Sequence, residues 1–396
     1  MTLVLRGIGR LLRMTGPVVP DAALVAREGV VAWTGPARDL PRELAGLSGV
    51  SEVDVGGAAV VPGFVDAHTH LVFAGHRREE FVARLAGVPY DGGGIRTTVA
   101  ATRAATSEQL LTAATIRAEA ALAAGTTTLE VKTGYGLDPE HELRLLDVVT
   151  ALRGRVPVRL EPTYLGAHVV PGGRDRAVYV AEVLATLPAA RERGARWADV
   201  FCDEGAFSLE EARRILVRAR EYGLGLRLHA EELAPTGAAG LAAELRCASA
   251  DHLDHVTVAD ARALAAAGVV AVLLPTVTLS LRSGSWAHAG VLCDAGVELA
   301  LATDCNSGTS WCESMPYAIQ LACLALGLPV GEAFRAATLG AAHSLHRDDV
   351  GHLGIGARAD LAVLAAEHGA DVVAHLGGTA VQATYVGGYR AAGVTR

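Results

Sequence analysis

His68 and His70 stand one residue apart in "VPGFVDAHTHLVFAGH" (61–76), where an apolar run ends. Residues two apart on a strand face the same side. Both imidazoles therefore point one way, close enough to hold one metal ion. His229 in "LHAEE" and Asp304 in "LATDCN" end later apolar runs and complete a set of three imidazoles and a carboxylate. Such a set suits zinc, and iron(II) is a borderline ion of the same kind. A lone histidine at a strand end is ordinarily a hydrogen-bonded polar residue; the His-x-His pair with two further ligands is what points to a metal. A metal with an open coordination position makes a nucleophile from water near neutral pH. Asp304, as ligand or near-ligand, would accept that water's proton. His252 ends the next run after His229, where it either acts on substrate and nucleophile directly or stands behind Asp304 as its partner; both roles stay open.

Those side chains need strand ends that converge. Eight apolar runs, 60–68, 126–134, 158–168, 198–205, 225–232, 249–256, 269–275 and 297–306, alternate with Ala-, Leu- and Arg-rich stretches of helical pattern. The alternation predicts parallel βα units, and eight of them predict an α/β fold of the (β/α)₈ TIM-barrel type over 60–352. An open doubly wound sheet is the alternative, but no G-x-G-x-x-G opens the first unit. Polar residues gather at the ends of every run but the seventh, and the C-terminal strand ends are where barrels keep their chemistry. Short alternating strands at 1–59 and again at 353–396 predict one small β-sandwich-like domain built from both termini. The long stretch "GHRREEFVARLAGVPYDGGGIRTT" (75–98), with three consecutive glycines, reads as a mobile loop.

The bulk numbers exclude other classes. Net charge is −8 over 396 residues with no basic run, which argues against a nucleic-acid partner. The six cysteines, 202, 247, 293, 305, 312 and 323, form no C-x-x-C pair and read as free thiols in a reducing compartment. The longest apolar run, "LAAAGVVAVLLP", is too short to span a bilayer, and no signal-peptide pattern opens the chain. A soluble cytoplasmic protein without a membrane partner is expected. Lys132 is the single lysine, and an ordinary charge partnership, with Glu130 or a substrate-loop carboxylate, is its simplest reading.

In order along the chain, "PGFVDAHTHLVFAG", "EVKTGYG", "YLGAH", "FCDEGAFS", "LHAEEL", "SADHL", "VAVLLP" and "LATDCNSGTS" resemble the imidazolonepropionase family of the amidohydrolase superfamily. The H-T-H alone marks the superfamily; "KTGYG" with "LGAH" marks this member. The resemblance implies hydrolysis of the ring amide of 4-imidazolone-5-propanoate to N-formimino-L-glutamate, in histidine degradation, by a metal-activated water. It places His68, His70, His229 and Asp304 as metal ligands and Arg77 on the substrate carboxylate, which a guanidinium can hold through two parallel hydrogen bonds. It places Tyr135, His168, Asn306, Gly308 and Thr309 around the rest of the substrate. Glu232 is implied as a substrate contact or proton shuttle, although strand alternation alone favours Glu231. The fourth run carries no lysine of the kind that bridges a second ion in such barrels, so one divalent metal, zinc or iron, is expected per subunit. A homodimer acting on a small molecule is also implied. The chain departs from the family in "DCNSGTS", where "DFNPGSS" is more usual, and in His76, where Asp is common. Deamination of an aminated ring is the competing reaction on the same barrel. A catalytically silent relative, kept for assembly, is the competing class, and four filled ligand positions weigh against it.

Overall fold

The computed structural model describes residues 2–45, 50–88 and 93–393. Five strands come from the N-terminal region: β1 (Thr2–Leu11), β2 (Val19–Arg27), β3 (Val30–Pro36), β4 (Val50–Asp54) and β5 (Ala59–Pro62). Eight follow as β6 (Phe64–Asp66), β7 (Thr126–Lys132), β8 (Arg159–Ala167), β9 (Trp197–Cys202), β10 (Gly225–Ala230), β11 (Ser249–His252), β12 (Val270–Leu273) and β13 (Leu299–Leu301). The last three are β14 (Leu361–Leu364), β15 (Val381–Val386) and β16 (Tyr389–Gly393).

β6 to β13 lie side by side in chain order, all parallel. These are the eight apolar runs of the sequence, and they form a TIM barrel. Its seam closes through backbone contacts just past the named strands. Asp304 N donates to His68 O at 3.0 Å, and His70 N donates to Cys305 O at 3.0 Å. Buried Asp66 fastens the same seam by accepting from Thr303 N (3.0 Å) and Thr303 Oγ1 (2.6 Å). The first and last barrel strands are thus joined at the residues that carry His68, His70 and Asp304.

The remaining strands form the second sheet, in order β16-β15-β14-β5-β1-β2-β3 with β4 also on β1. The two termini meet where β14 pairs antiparallel with β5, Val363 opposite Val60. The run 60–68 does not make one strand. It ends the terminal sheet at Pro62 and starts the barrel at Phe64. An apolar run buried throughout shows no change of pattern at the point where it changes sheets.

Helix punctuation follows local rules. Ser208 caps Leu209–Glu221 in a capping box with Glu211, and Thr106 caps Ser107–Ala123 in another with Gln109. The stretch read as a loop is largely helical, Arg78–Leu85 and Ile95–Ala104; Gly92 lies outside the described residues. Its arginines and glutamates sit at helical spacing, so Glu80 pairs with Arg77 three residues before it and Arg84 four after. All six cysteines are free. Among the described residues no helix is long and apolar enough to cross a membrane.

Candidate active site

His68 and His70 follow β6, His229 lies in β10, His252 ends β11 and Asp304 follows β13. Asp304 Oδ1 lies 3.6 Å from His68 Nε2 and 3.3 Å from His70 Nε2. The His68 ring lies 4.4 Å from that of His229 and 5.5 Å from that of His252, between centroids. Ligand atoms of His68, His70 and Asp304 all fall within 4.8 Å of one another, and so do those of His68, His229 and His252. The four expected ligands are thus together, joined by His252, with His68 common to both groups. Asp304 and His252 take φ of 48° and 78°, left-handed backbone that side-chain-bearing residues rarely adopt. Such strain gathers where a fold must aim a functional group.

The donor set fits a metal. His68 Nε2, His252 Nε2 and Asp304 Oδ1 are buried without a hydrogen-bond partner in the protein, which is costly unless something else satisfies them. Burial holds the imidazoles of His68, His70 and His252 well below their ordinary pKa, so they are neutral with lone pairs to donate. Burial also raises the Asp304 carboxyl to about 7 in the absence of a cation, the cost a bound cation would relieve. A His/Asp metal-binding site is present.

Beneath it the barrel is filled with charge rather than aliphatic side chains. His68 Nδ1 meets Asp251 Oδ2 at 2.7 Å, so Nδ1 carries the proton and Nε2 faces Asp304. His229 Nδ1 lies 3.0 Å from Asp199 Oδ2, though not aligned for a hydrogen bond. Lys132 Nζ donates to Asp199 Oδ2 at 2.7 Å and to Glu130 Oε1 at 3.0 Å, and lies 3.7 Å from Asp251. Arg227 Nη2 reaches Asp251 at 3.3 Å, and Thr163 donates to Glu130. Three carboxylates and two cations thus face one another in a dry interior. Burial works against the Lys132 ammonium, but Asp199 and Glu130 outweigh it and hold its pKa above the ordinary value. Burial works against ionised Asp199 too, and the His229 ring and Lys132 override it. Asp199 and Arg227 lie mid-strand, where a sequence reading expects core.

Above the cluster opens a cavity of about 870 Å³ lined by His70, Arg77, Tyr135, His168, His229, Glu232, His252, Asp304, Asn306 and Thr309, among others. The backbone sends the two adjacent glutamates different ways. Glu231 takes φ of 59°, which ends the alternation and turns its carboxylate onto Gly237 N (3.1 Å) and Ala239 N (3.4 Å). Glu232 faces the cavity instead, its Oε2 3.7 Å from His252 Nε2. Asp203 fixes this turn by accepting from Glu232 N (2.7 Å) and Leu233 N (3.0 Å). Burial, with Asp304 and Asp254 nearby, holds the Glu232 carboxyl well above its ordinary pKa, which favours its protonated form. His168 donates from Nδ1 to Gly134 O at 2.9 Å and stacks on His70, centroids 5.1 Å apart at 21°. Burial lowers its pKa to about 3.

Two residues expected to touch substrate also hold neighbouring parts of the site in place. Asn306 donates to Asp304 O (2.7 Å) and Thr309 Oγ1 (2.9 Å) and accepts from Gly308 N and Thr309 N, both at 2.7 Å. These four hydrogen bonds shape the 304–309 loop, and Asn306 also lines the cavity. Gly308 does not line the cavity. It packs against the Arg77 guanidinium, and a Cβ there would collide with Nη1 and Cζ. Gly94 lies against Nε and Nη2 of the same group, again with no room for a Cβ. Glu80 accepts from Nε at 2.9 Å and Nη2 at 2.6 Å, and Arg84 ties Glu80 to Gly308 O. Arg77, buried to 6% exposure, is therefore held in a slot between two glycine backbones. Gly308→Ala should displace it and raise KM about 10- to 100-fold, read by steady-state kinetics, since small misplacements of a positioning group cost that much. An unchanged KM would mean that the slot does not set the position of Arg77.

The sequence profile of the Amidohydrolase family matches residues 59–390. Imidazolonepropionase of Mycolicibacterium smegmatis is 46% identical over 372 residues, 92% of this chain and 91% of that one. The chain belongs to the amidohydrolase family, among the imidazolonepropionases. Imidazolonepropionase of Salinispora tropica is 48% identical over 374 residues, 92% of each chain. Among solved structures, a triazine hydrolase variant superposes with a TM-score of 0.77 at 18% identity, over 99% of this chain and 95% of that one, a likeness of fold. Family membership makes the chain a hydrolase that acts on carbon–nitrogen bonds.

Proposed function

We propose that the chain hydrolyses the ring amide of 4-imidazolone-5-propanoate to N-formimino-L-glutamate, a step of histidine degradation. The observation that carries this reading is one cavity that joins the His/Asp cluster at its floor to the buried guanidinium of Arg77 in its wall. It suits a small amide that bears its own anionic tail.

His68, His70, His229 and Asp304 would hold one divalent ion, zinc or iron, both of which take imidazole and carboxylate ligands. When bound, the ion supplies Lewis-acid chemistry, making water nucleophilic near neutral pH and polarising an amide carbonyl. One ion suffices because the fourth barrel strand ends in Cys202 and carries no lysine, while Lys132 is committed to Glu130 and Asp199. Asp304 takes the proton of the attacking water. Glu232, whose protonated form its surroundings favour, delivers a proton to the ring nitrogen as the carbon–nitrogen bond breaks. His252 lies between Glu232 and the His68–His229 pair and orients the reacting carbonyl. Arg77 holds the propanoate, Tyr135 and His168 flank the ring, and Thr309 lies on the wall that the 304–309 loop forms. The assembly expected with this reading is a cytoplasmic homodimer.

Arg77 touches only the tail, so its contribution is uniform binding. Arg77→Ala is expected to raise KM about 10- to 100-fold with little change in kcat, the scale of a lost charge-assisted pair. Initial rates over a range of substrate concentrations test it, and an unchanged KM removes Arg77 from the substrate site.

A further inference from the structure

Tyr135 and His168 come from two loops that share one support. Tyr135 stands in "KTGYG", between β7 and the helix Pro139–Leu152. Asp138 caps that helix by accepting from His141 N, and Glu142 follows in its first turn. Side chains of a first turn lean back toward the helix N-terminus. The Glu142 carboxylate accordingly lies under the loop, 1% exposed. Its Oε2 accepts from Gly134 N at 2.9 Å; its Oε1 accepts from Gly136 N at 2.7 Å and Leu137 N at 2.8 Å. The loop so held is not relaxed: Leu137 takes φ of 52° and Gly134 φ of 107°. Gly134 is also the residue whose carbonyl accepts from His168 Nδ1, at 2.9 Å. The residues on either side of Tyr135 are therefore fastened to one carboxylate through their N–H groups, and the same segment sets which nitrogen of His168 carries the proton.

We infer that Glu142 is a positioning residue for ring recognition, acting through the Gly134–Leu137 backbone to place Tyr135 and His168. The inference rests on the proposed role of those two rings at the substrate. Glutamine is the informative replacement. An amide offers one acceptor oxygen, and its NH₂ must face at least one backbone N–H, donor against donor. Depending on which way it turns, one or two of the three contacts are lost, with almost no change in volume.

Two readouts test this, both on the full-length metal-loaded protein. In hydrogen exchange followed by mass spectrometry, amides of the 133–138 peptide should exchange at least about tenfold faster in Glu142→Gln than in wild type. Unchanged protection overturns the staple. In a mutant cycle on 4-imidazolone-5-propanoate, Glu142→Gln should lower kcat/KM about 100-fold. In a background already lacking both rings (Tyr135→Ala with His168→Ala) it should change kcat/KM by no more than about twofold. The same 100-fold loss in that background overturns the inference, because the effect would then be general loosening rather than ring placement. If Glu142→Gln does not fold, Glu142→Asp, with the charge kept and the reach shortened, should show a smaller loss with the same non-additivity. A wild-type chain that leaves this substrate untouched sinks the functional reading alone, and the exchange experiment still decides the staple.

Discussion

Asp304→Asn is expected to lower kcat by about 10³-fold, within the range a lost general base costs, while the protein still binds metal. The amide keeps an oxygen beside His68 Nε2 and His70 Nε2, now 3.6 and 3.3 Å from Asp304 Oδ1. It keeps the 304–309 loop as well, because Asn306 holds that loop through the Asp304 backbone carbonyl, which the substitution leaves in place. What the amide cannot do is accept a proton. Metal content by elemental analysis beside steady-state kinetics separates the two roles. Undiminished turnover would remove Asp304 as the proton acceptor, and loss of the metal would make it chiefly a ligand.

The second large effect divides the histidines. His68 belongs to both groups of ligand atoms, so His68→Ala should abolish metal binding at any practical concentration. The penalty should exceed the about 10- to 100-fold in affinity that loss of a carboxylate behind a ligand costs, as in Asp251→Asn. His252 reaches the cluster only through His68 and His229, and its Nε2 lies 3.7 Å from Glu232. His252→Ala should therefore retain the metal and lose about 10²-fold in kcat. Competition against a chelating dye measures both affinities. A His252→Ala protein that loses its metal as completely as His68→Ala would make His252 a ligand and move the ion toward the His229 side.

Strand periodicity and strand-end polarity made the barrel legible, because a parallel strand buried on both faces writes itself as an apolar run and stops where its chemistry begins. His68, His70, His229, His252 and Asp304 could be placed near one another on that basis. The supports behind them could not. Asp199 and Arg227 sit within strands, and only three-dimensional closure brings them under His229 and His68. Glu142 and Glu80 belong to helices, where acidic residues near the start are unremarkable until the loop they hold is seen. The glycines at 92–94 suggested a mobile loop. At Gly94 the reason is instead close approach to Arg77 and Glu80, a contact no local pattern encodes. A single positive φ at Glu231 turns its carboxylate away from the cavity that Glu232 lines, a break in the alternation that no strand pattern foretells.

The most direct test is an absorbance assay of 4-imidazolone-5-propanoate loss with the purified, metal-loaded protein, with and without a chelator, and with the product identified. The proposed function predicts decay well above the spontaneous rate, suppressed by the chelator and restored by zinc or iron, with N-formimino-L-glutamate as product and no ammonia released. No acceleration by protein shown to hold its metal would contradict it. The barrel and its His/Asp cluster would then stand, with the substrate to be sought among aminated rings, whose turnover releases ammonia.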